Sequence, residues 1–488
     1  MQYTVIRKKV RCHMKSRFII SILLAALILC GSWCCAEATE QEVLNIYFMP
    51  SGDNLEDLSM INDLLNQYLQ QKMGLTVQLI LPERNYHQSI HTDLLQGKQI
   101  DLAFCNDAEY LHDWIQNGWL YPLDRLFEEQ GAGISSWIAD EYMYKENHII
   151  YGIGNNVERG RSFGFEYLVD VARACEVDMS AVHTISDLTE VFAKVKEYGG
   201  GIIPTVVLPG YLSPEDILGD NRYGVLMSPQ DTTVENLFES DAYWDFLQLV
   251  FQWTQSGFTY DKLTDSNSLL YYMSSGRVFG ALCKGKPGFA EQESFLTGRE
   301  IGYVELTPYT LYSNAVNRSY CYVIPKTSKD PEVAMQLLNL LYNDSYIANL
   351  LIYGVEGRHY IKSSDFSVIK KPDSQYCGID GYTYCNQYTA YVFDGAPKTL
   401  WEEMMEEDAT APRSTAYGFC FDEEAVKALI MQCDAVYEDY TDLLFSGVVD
   451  PTSLRQEVTA AYRAAGIETI IEEKQRQLDL FLEEGTQP

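Results

Sequence analysis

Two pairs of neighbouring polar residues stand where predicted strands end. Asn106 and Asp107 follow the apolar run DLAFC, and Asn155 and Asn156 follow IIYGI and a glycine. Amide and carboxylate side chains supply the hydrogen bonds that a polar ligand requires. Each residue is also a common turn or helix-capping type. Because ligands of doubly wound sheets bind beyond the carboxyl ends of strands, topology rather than composition predicts these four as ligand contacts.

No catalytic or cofactor motif accompanies these pairs. The sequence lacks GxSxG, HExxH, phosphate-loop, dinucleotide-glycine and EF-hand patterns, so no cofactor is expected. His87 and His91 are four residues apart and could face one way on a helix, but two ligands do not make a metal site. Acidic pairs such as Glu128–Glu129 reflect the abundance of acid, with nothing to place two carboxyl groups ~5–9 Å apart for glycoside hydrolysis. The sequence therefore predicts a binding protein and not an enzyme.

The charge of the chain restricts its partners. Residues 1–38 hold six of the 36 Lys and Arg and one of the 69 Asp and Glu, so the remainder has a formal charge of −38. Such an excess repels the backbone of nucleic acids. It also disfavours an anionic ligand unless a local basic pocket offsets the field. Solubility of an exported protein is the simpler explanation of the charge.

The N-terminus has the pattern of a signal peptide, predicted for residues 1–38. Six basic residues precede an apolar run from Phe18 to Cys30 that is too short to span a bilayer. Two alternatives remain for the processing of this leader. Cleavage after Ala38 fits a small-x-small site, whereas lipidation of Cys30 requires a small residue where Leu29 stands. Export to the outer face of the cytoplasmic membrane is expected in both cases.

Apolar runs that alternate with helical patterns predict an α/β protein. Strands are predicted at Leu44–Met49, Leu75–Leu81 and Asp101–Cys105, with amphipathic helices between them, which is typical of a mostly parallel, doubly wound sheet. A second set of strands begins at Phe163–Tyr167 and includes Ile301–Leu306. Because 488 residues exceed what one hydrophobic core supports, two lobes are expected.

The stretch from Tyr320 to Lys362 has the clearest local pattern. A buried strand is predicted at its start, and a helix begins at Pro331 with Ser328 or Asp330 as its N-cap. A second helix ends at a glycine. A polar, aromatic tip, Val355–Tyr360, follows it.

This stretch, with DPEVAMQLLNLLYND followed by NLLIYGVEGRHY, resembles a late segment of extracytoplasmic solute-binding proteins of ABC importers (extracellular solute-binding protein family 1). DLAFCNDAEYLHDWIQNGWLYPLDRLF and GVVDPTSLRQEVTAAYRAAGIETIIEEKQRQLDLFL are similar to the carbohydrate-uptake lipoproteins of that family. The resemblance implies a two-lobe, periplasmic-binding-protein-like α/β fold of type II, each lobe a mostly parallel sheet flanked by helices. It further implies a monomer that captures a carbohydrate, an oligosaccharide, and delivers it to membrane permease subunits.

The expected domain division follows from the predicted crossings between lobes. Residues 39–154 form the first part of lobe 1, 155–312 the first part of lobe 2, and 313–364 the second part of lobe 1. Residues 365–488 form crossing loops and C-terminal helices, mainly in lobe 2.

A sugar ring presents an apolar C–H face and a rim of hydroxyls, so its site requires aromatic platforms beside polar side chains. The candidates at strand ends and crossings are Ser51, Asn54, Asn106, Asp107, Asn155, Asn156, Glu158, Arg161, Tyr211, Lys286, Tyr320, Glu356, Arg358 and Tyr360. For Glu356 and Arg358, an ion pair that orders the tip is an equal alternative. A peptide or other polar solute is the alternative ligand. A glycan hydrolase and a sensory or adhesive lipoprotein are the alternative classes.

Overall fold

The structure is a computed structural model that describes residues 43–52, 57–82, 85–207, 215–219, 221–259, 266–316, 319–374, 376 and 378–485. The predicted signal peptide with Cys30, and the candidate ligand residues Asn54 and Tyr211, lie outside the described residues. Within the described chain, no helix combines the length and the apolar character that a membrane crossing requires.

The described residues form two large sheets, one small sheet and flanking helices. The strands are β1 (Val43–Tyr47), β2 (Thr76–Ile80), β3 (Leu102–Cys105), β4 (Tyr144–Glu146), β5 (Ile149–Gly154), β6 (Arg161–Leu168), β7 (Ile203–Val206), β8 (Val278–Gly285), β9 (Ile301–Thr310), β10 (Cys321–Val323), β11 (Tyr360–Lys362), β12 (Ser367–Lys370) and β13 (Val392–Phe393). The helices are α1 (Leu58–Met73), α2 (Tyr86–Leu95), α3 (Ala108–Gln116), α4 (Asp124–Gln130), α5 (Val169–Ala174), α6 (Leu188–Tyr198), α7 (Asp241–Gln255), α8 (Ser266–Ser274), α9 (Phe289–Thr297), α10 (Pro331–Asn343), α11 (Ser345–Ile352), α12 (Leu400–Thr410), α13 (Lys427–Phe445), α14 (Arg455–Ala465) and α15 (Ile467–Gly485).

The first lobe is built on a six-stranded sheet with the order β2-β1-β3-β10-β5-β4. Strand β1 runs parallel to β2 and β3, as the alternation of strands and helices predicts. Strand β10 lies antiparallel between β3 and β5, with Cys321 opposite both Cys105 and Gly154. All residues of β3 and β10 are buried, as expected for central strands with both faces covered. The chain therefore leaves this sheet after β5 and later returns to fill its centre.

The second lobe is built on a four-stranded sheet with the order β7-β8-β6-β9. Strand β7 is parallel to β8, whereas β6 is antiparallel to both β8 and β9. Within the described strands, four of six in the first sheet and three of four in the second therefore share one direction. By neighbours, however, two of the five adjacent pairs in the first sheet and one of the three in the second are parallel, so both sheets are mixed, with an antiparallel strand inserted inside each.

The helices after β10 begin and end at the residues that the sequence indicates. Asp330 caps α10 by accepting a hydrogen bond from the Val333 backbone at 3.0 Å, and Pro331 occupies the first helical position. Asp344 caps α11 in the same way. Gly354 follows α11 with φ +84°, a left-handed conformation that favours glycine.

Three large hydrophobic clusters divide the described chain. The first combines residues from Leu44–Ile153 with residues from Cys321–Ala390, so part of the chain beyond residue 364 packs on lobe 1. The second lies around the four-stranded sheet. The third joins residues 218–247 to the C-terminal helices, and Val207 and Phe246 pack against both the second and third clusters. The C-terminal helices therefore extend the second lobe.

Lys474 on α15 lies in the interior of the third cluster. The alternating charges of this helix predict a solvated face, but Lys474 is fully buried. Its ammonium donates hydrogen bonds of 3.0 Å to the carbonyls of Ile217, Asn221 and Gly224. A buried cation is tolerated because three acceptors surround it.

We expect the substitution Lys474→Ala to lower the free energy of unfolding by about 3 kcal/mol, because it leaves buried carbonyls without a donor. The control Arg476→Ala removes an exposed cation from the same helix, paired with Glu473 three residues earlier, and should cost less than about 0.5 kcal/mol. Thermal unfolding of both variants measures the difference. Equal losses would contradict the structural role of Lys474.

Glu166 on β6 is a buried carboxyl group beside Glu293 on α9. It is 5% exposed, and its Oε2 has no hydrogen-bond partner among the described residues. Burial, and then the charge of Glu293, raise the pKa of Glu166 to about 8. Burial also raises the pKa of Glu293. The folded state therefore favours the neutral form of Glu166.

The unfolded chain loses the Glu166 proton near pH 4.5, and the folded chain loses it near pH 8, so stability falls as the pH rises across that window. The variant Glu166→Gln should escape this loss and gain about 2–4 kcal/mol relative to the wild type between pH 5 and pH 8. Calorimetric melting at both pH values tests this, with the exposed Glu190→Gln as control. A difference between variant and wild type that does not change with pH would contradict it.

Candidate functional site

The two lobes are joined by three crossing segments, which lie between the hydrophobic clusters. The first, after β5, pairs with the third: the Asn156 backbone donates to the Cys385 carbonyl at 2.7 Å and accepts from Gln387 at 3.3 Å. The second, after β9, also pairs with the third, through a bridge between Leu311 and Arg413. Asn156 is thus buried in the hinge, with its side chain bonded to Asn386 at 2.9 Å.

Asp408 on α12 links the first crossing to the end of β9. Its carboxylate accepts hydrogen bonds from the backbone of Arg159 at 3.0 Å and of Gly160 at 3.1 Å. It also accepts from the Tyr309 hydroxyl at 2.7 Å. Burial raises the pKa of Asp408, and these donors act in the opposite direction.

Two candidate residues form an ion pair beside the hinge. The Lys286 ammonium lies 2.5 Å from Oε1 of Glu158, and the Gln387 amide donates to the other carboxylate oxygen. Burial acts to raise the pKa of Glu158, but the charge and hydrogen bond of Lys286 outweigh it, so the pKa is lowered. The structure thus brings together residues that are 128 positions apart in sequence.

A polar and aromatic wall adjoins this ion pair on the first-lobe side. The Asn155 backbone donates to the Tyr320 carbonyl at 3.1 Å, and its side-chain amide donates to the Tyr382 carbonyl. The Asn155 Oδ1 is buried with no partner among the described residues. The Tyr382 ring is 45% exposed, yet burial raises its pKa to about 12. Tyr382 therefore combines an exposed side chain with a desolvated hydroxyl.

Asp380 completes this wall. Burial raises its pKa, while a hydrogen bond from Tyr382 and the charge of Lys286 act to lower it. Lys286 on the second lobe is therefore within electrostatic reach of a carboxyl group on the first. We name Asn155, Tyr320, Asp380 and Tyr382 the hinge wall. It offers a ring face, a carboxyl group and a carbonyl acceptor to a polar guest.

Three candidates lie at strand ends of the first lobe. Asp107 caps α3 by accepting from the Tyr110 backbone at 3.0 Å. The Asn106 backbone donates to Nε2 of His87 at 3.3 Å, and burial lowers the pKa of this histidine. Ser51 donates its backbone N–H to the Gly378 carbonyl at 2.9 Å, next to the hinge wall. Among the described residues, no three His, Cys, Asp or Glu side chains gather in a way that could hold a metal ion.

Arg161 opens β6 on the second-lobe side. Its guanidinium lies 4.0 Å from the Tyr312 ring centre, and its Nη1 donates to the Asn314 amide oxygen at 2.8 Å. The Arg161 Nε has no acceptor among the described residues. Burial lowers its pKa, so the fold holds this cation at a cost in hydration.

The candidates of the polar tip lie elsewhere. Glu356 and Arg358 line an open depression of about 730 Å³ that shares no residue with the hinge wall. Arg358 binds both carboxylate oxygens of Asp57 at 2.7 and 2.8 Å, and Glu356 pairs with Lys362 at 3.2 Å. Hydrogen bonds from Arg358 and then from the neighbouring histidine lower the pKa of Asp57 to about 2. Since these charges satisfy one another, the depression offers little to a ligand despite its volume.

The other tip candidate, Tyr360, begins β11 and is buried. Sequence reasoning did not nominate Asp380, Tyr382 or Gln387 of the hinge. The available signal is the Gly-Ile-Asp-Gly-Tyr turn, residues 378–382, which lies where the sequence predicts crossing loops. Loops that a rigid scaffold positions often carry binding residues.

The expectation of a solute-binding fold is matched by known proteins. A family model described as a domain of unknown function (DUF3502) matches residues 415–483. A curated relative from Streptococcus pneumoniae serotype 4, named carbohydrate ABC transporter substrate-binding protein, is 22% identical over 486 residues. The match covers 94% of this chain and 96% of that protein.

Solved structures show the same architecture. The N-glycan transport solute binding protein (NgtS) of Streptococcus pneumoniae superimposes with a TM-score of 0.78 at 21% identity, over 90% of this chain and 99% of that one. Its complex with Man5GlcNAc gives 0.73 at 21% identity, over 91% and 100%. An extracellular solute-binding protein of Bifidobacterium longum subsp. infantis gives 0.59 at 11% identity, over 91% and 99%. The chain thus has the two-lobe fold of extracellular solute-binding proteins, and the fold class predicted from the sequence is confirmed. These relatives are solute-binding proteins and not enzymes, as the sequence predicts for this chain.

The substitution Asp408→Ala should loosen the hinge, because three backbone and hydroxyl donors lose a shared carboxylate. We expect a loss of about 3 kcal/mol in unfolding free energy and faster hydrogen exchange at the Arg159 and Gly160 amides. Glu406→Ala, an exposed acid on the same helix, is the control and should change neither. Unchanged protection of the two amides from hydrogen exchange in Asp408→Ala would contradict the role of Asp408 in holding the hinge together.

Proposed function

We propose that this protein is the extracytoplasmic solute-binding component of an ABC importer, and that it captures an oligosaccharide between its two lobes. The supporting observation is the hinge wall, which lies beside the crossings of a fold shared over nearly its whole length with solute-binding proteins. A flat tyrosine ring beside carboxyl and amide groups matches the apolar face and hydroxyl rim of a sugar. No covalent step is needed.

In this proposal the ligand stabilises a closed state by contacting both lobes. Residues 39–154 and 313–364, together with Asn155, Asp380 and Tyr382 of the hinge wall, supply one side. The rest of residues 155–312 and the C-terminal helices supply the other. Two contacts already join the first lobe to the C-terminal region: Lys427 lies 2.8 Å from Glu109, and the Tyr142 and Tyr417 hydroxyls are 3.2 Å apart. The ion pair is exposed and therefore weak, so a bound ligand can decide between open and closed states.

The proposed partners follow from this role. The closed form would dock as a monomer on two permease subunits at the outer face of the cytoplasmic membrane. Its attachment there depends on the leader: lipidation of Cys30 would anchor the chain, and cleavage after Ala38 would release it. Mass spectrometry of the exported protein distinguishes the two.

Binding is tested by thermal shift with a panel of oligosaccharides, including mannose-containing N-glycans, and with short peptides. A ligand of this protein should raise the melting temperature without the appearance of new reducing ends. Stabilisation by peptides but not by glycans would reject the carbohydrate assignment. Release of new reducing ends would reject the binding-protein assignment.

We expect Tyr382→Ala to weaken the affinity for the stabilising glycan about tenfold, because it removes the exposed ring of the hinge wall. Tyr198→Ala is the matched control, since that ring is 53% exposed at the end of α6. Isothermal titration calorimetry measures both. Equal affinities for the Tyr382 and Tyr198 variants would remove the hinge wall from the binding site.

A further inference from the structure

Two cationic side chains lie at the edge of the second sheet from which the chain crosses to the first lobe, and a third belongs to a loop near them. Arg161 opens β6, and Lys284 stands next to the end of β8, opposite Phe163. Because opposed residues of antiparallel strands share a face and side chains alternate along a strand, Arg161 and Lys284 face the same way. Arg222, in the loop that follows residue 220, lies within electrostatic reach of Lys284. We name these three residues the cationic edge.

Two of these charges have no acidic partner among the residues that the structure describes. Among the described residues, neither Lys284 nor the Arg222 side chain has a hydrogen bond or an ion pair, and the Arg222 Nε is buried without an acceptor. Although Lys284 is exposed at the surface, partial desolvation by the surrounding protein, and then repulsion from Arg161 and Arg222, lower its pKa to about 8. Lys286, two residues further on, differs, since Glu158 neutralises it at 2.5 Å. Unpaired cations held close together are unusual where negative charge dominates the chain.

Arg161 is the member that the fold positions most firmly. The Tyr312 ring and the Asn314 amide fix its guanidinium, and its Nε remains unused. Two buried carboxyl groups, Glu215 and Asp216, lie near enough to offset part of its charge. Asp216 already accepts from the Ser313 backbone at 2.7 Å and from the hydroxyl of the same residue. Lys284 and Arg222 therefore supply the uncompensated charge, and Arg161 adds spare donors beside them.

We infer that the glycan bound by this protein carries an anionic substituent, a carboxylate or a sulfate ester, and that the cationic edge binds it. The inference rests on the proposed function and names the class of carbohydrate. A neutral sugar requires only hydrogen-bond donors and acceptors, which asparagine, aspartate and tyrosine provide on the first lobe. An anion instead requires fixed positive charge, which overcomes the repulsion of a chain with net charge −38 once its leader is removed. Guanidinium groups bind planar or tetrahedral oxyanions through paired hydrogen bonds, and such charge-assisted bonds are roughly twice as strong as neutral ones.

The test uses matched glycan pairs that differ in charge. Lactose is compared with 3′-sialyllactose and 3′-sulfolactose, and tetragalacturonate with the same oligosaccharide after reduction of its carboxyl groups to alcohols. The sialyl and uronate pairs report on a carboxylate, and the sulfo pair on a sulfate. Calorimetric titration of the exported chain should give an acidic member that binds at least about tenfold more tightly than its neutral partner.

Substitution of the cationic edge should remove this preference. Lys284→Met is expected to weaken the acidic member about tenfold and the neutral member less than about twofold. Arg222→Gln is a second variant with the same expectation, in case the first does not fold. Lys194→Met removes the same charge from an exposed position on α6 and should change neither affinity.

Several outcomes overturn the inference. Equal affinities for the neutral and the acidic glycan in every pair would overturn it. A Lys284→Met variant that weakens the binding of both glycans alike would also overturn it, and would assign Lys284 to lobe closure. Binding of neutral glycans alone would reject the anionic substituent and leave the proposed function intact. If no carbohydrate binds at all, the proposed function fails as well.

Discussion

The arrangement depends on hydrogen bonds that tie three separate stretches of chain into one hinge. Backbone pairing of Asn156 with residues 385–387, and the grip of Asp408 on Arg159 and Gly160, fix where each lobe begins. Each such bond contributes only about 1 kcal/mol, but these backbone donors lie away from water, so leaving them unpaired would cost more. Asn155 and Glu158 belong to the same segment, so the hinge and the inner end of the proposed ligand site are built from one piece of chain. A guest that contacts these residues also acts on the motion of the lobes.

Much of the fold follows from local sequence, because strand and helix signals act over a few residues. The buried runs of β1, β3 and β10 and the Asp330–Pro331 start of α10 are of this kind. The insertion of β10 between β3 and β5 is different, since it pairs residues 167 to 220 positions apart and no periodicity encodes that choice. Lys474 was assigned to a wet face for a related reason: a lysine among glutamates has the pattern of solvent exposure until three carbonyls from residues 217–224 surround it.

The candidate site likewise combines features that the local sequence predicts with features that depend on long-range contacts. Glu158 and Lys286 were both expected at the crossings, and the structure makes them partners. Tyr382 was not nominated, because its importance comes from its position beside Asn155 rather than from any motif around it. The two possibilities for Arg358, ligand contact or structural pair, could be weighed only once Asp57 was found within 2.8 Å of it, 301 positions away. Charge pairing over such separations is a property of the folded chain, which explains why the sequence left that choice open.

In the proposed ligand site, the two lobes contribute different chemistry. The hinge wall on the first lobe presents a ring face, carboxyl oxygen and amide oxygen, whereas the second lobe presents cations at Arg161, Arg222 and Lys284. Neither surface can satisfy a charged sugar alone. The hinge wall would leave the anionic group of the sugar facing acidic side chains, and the cationic edge would leave the apolar face of the sugar in water. Only a state that brings both surfaces onto one guest satisfies all of these groups. Differential contact of this kind is what a ligand needs to shift a two-lobed protein toward its closed form.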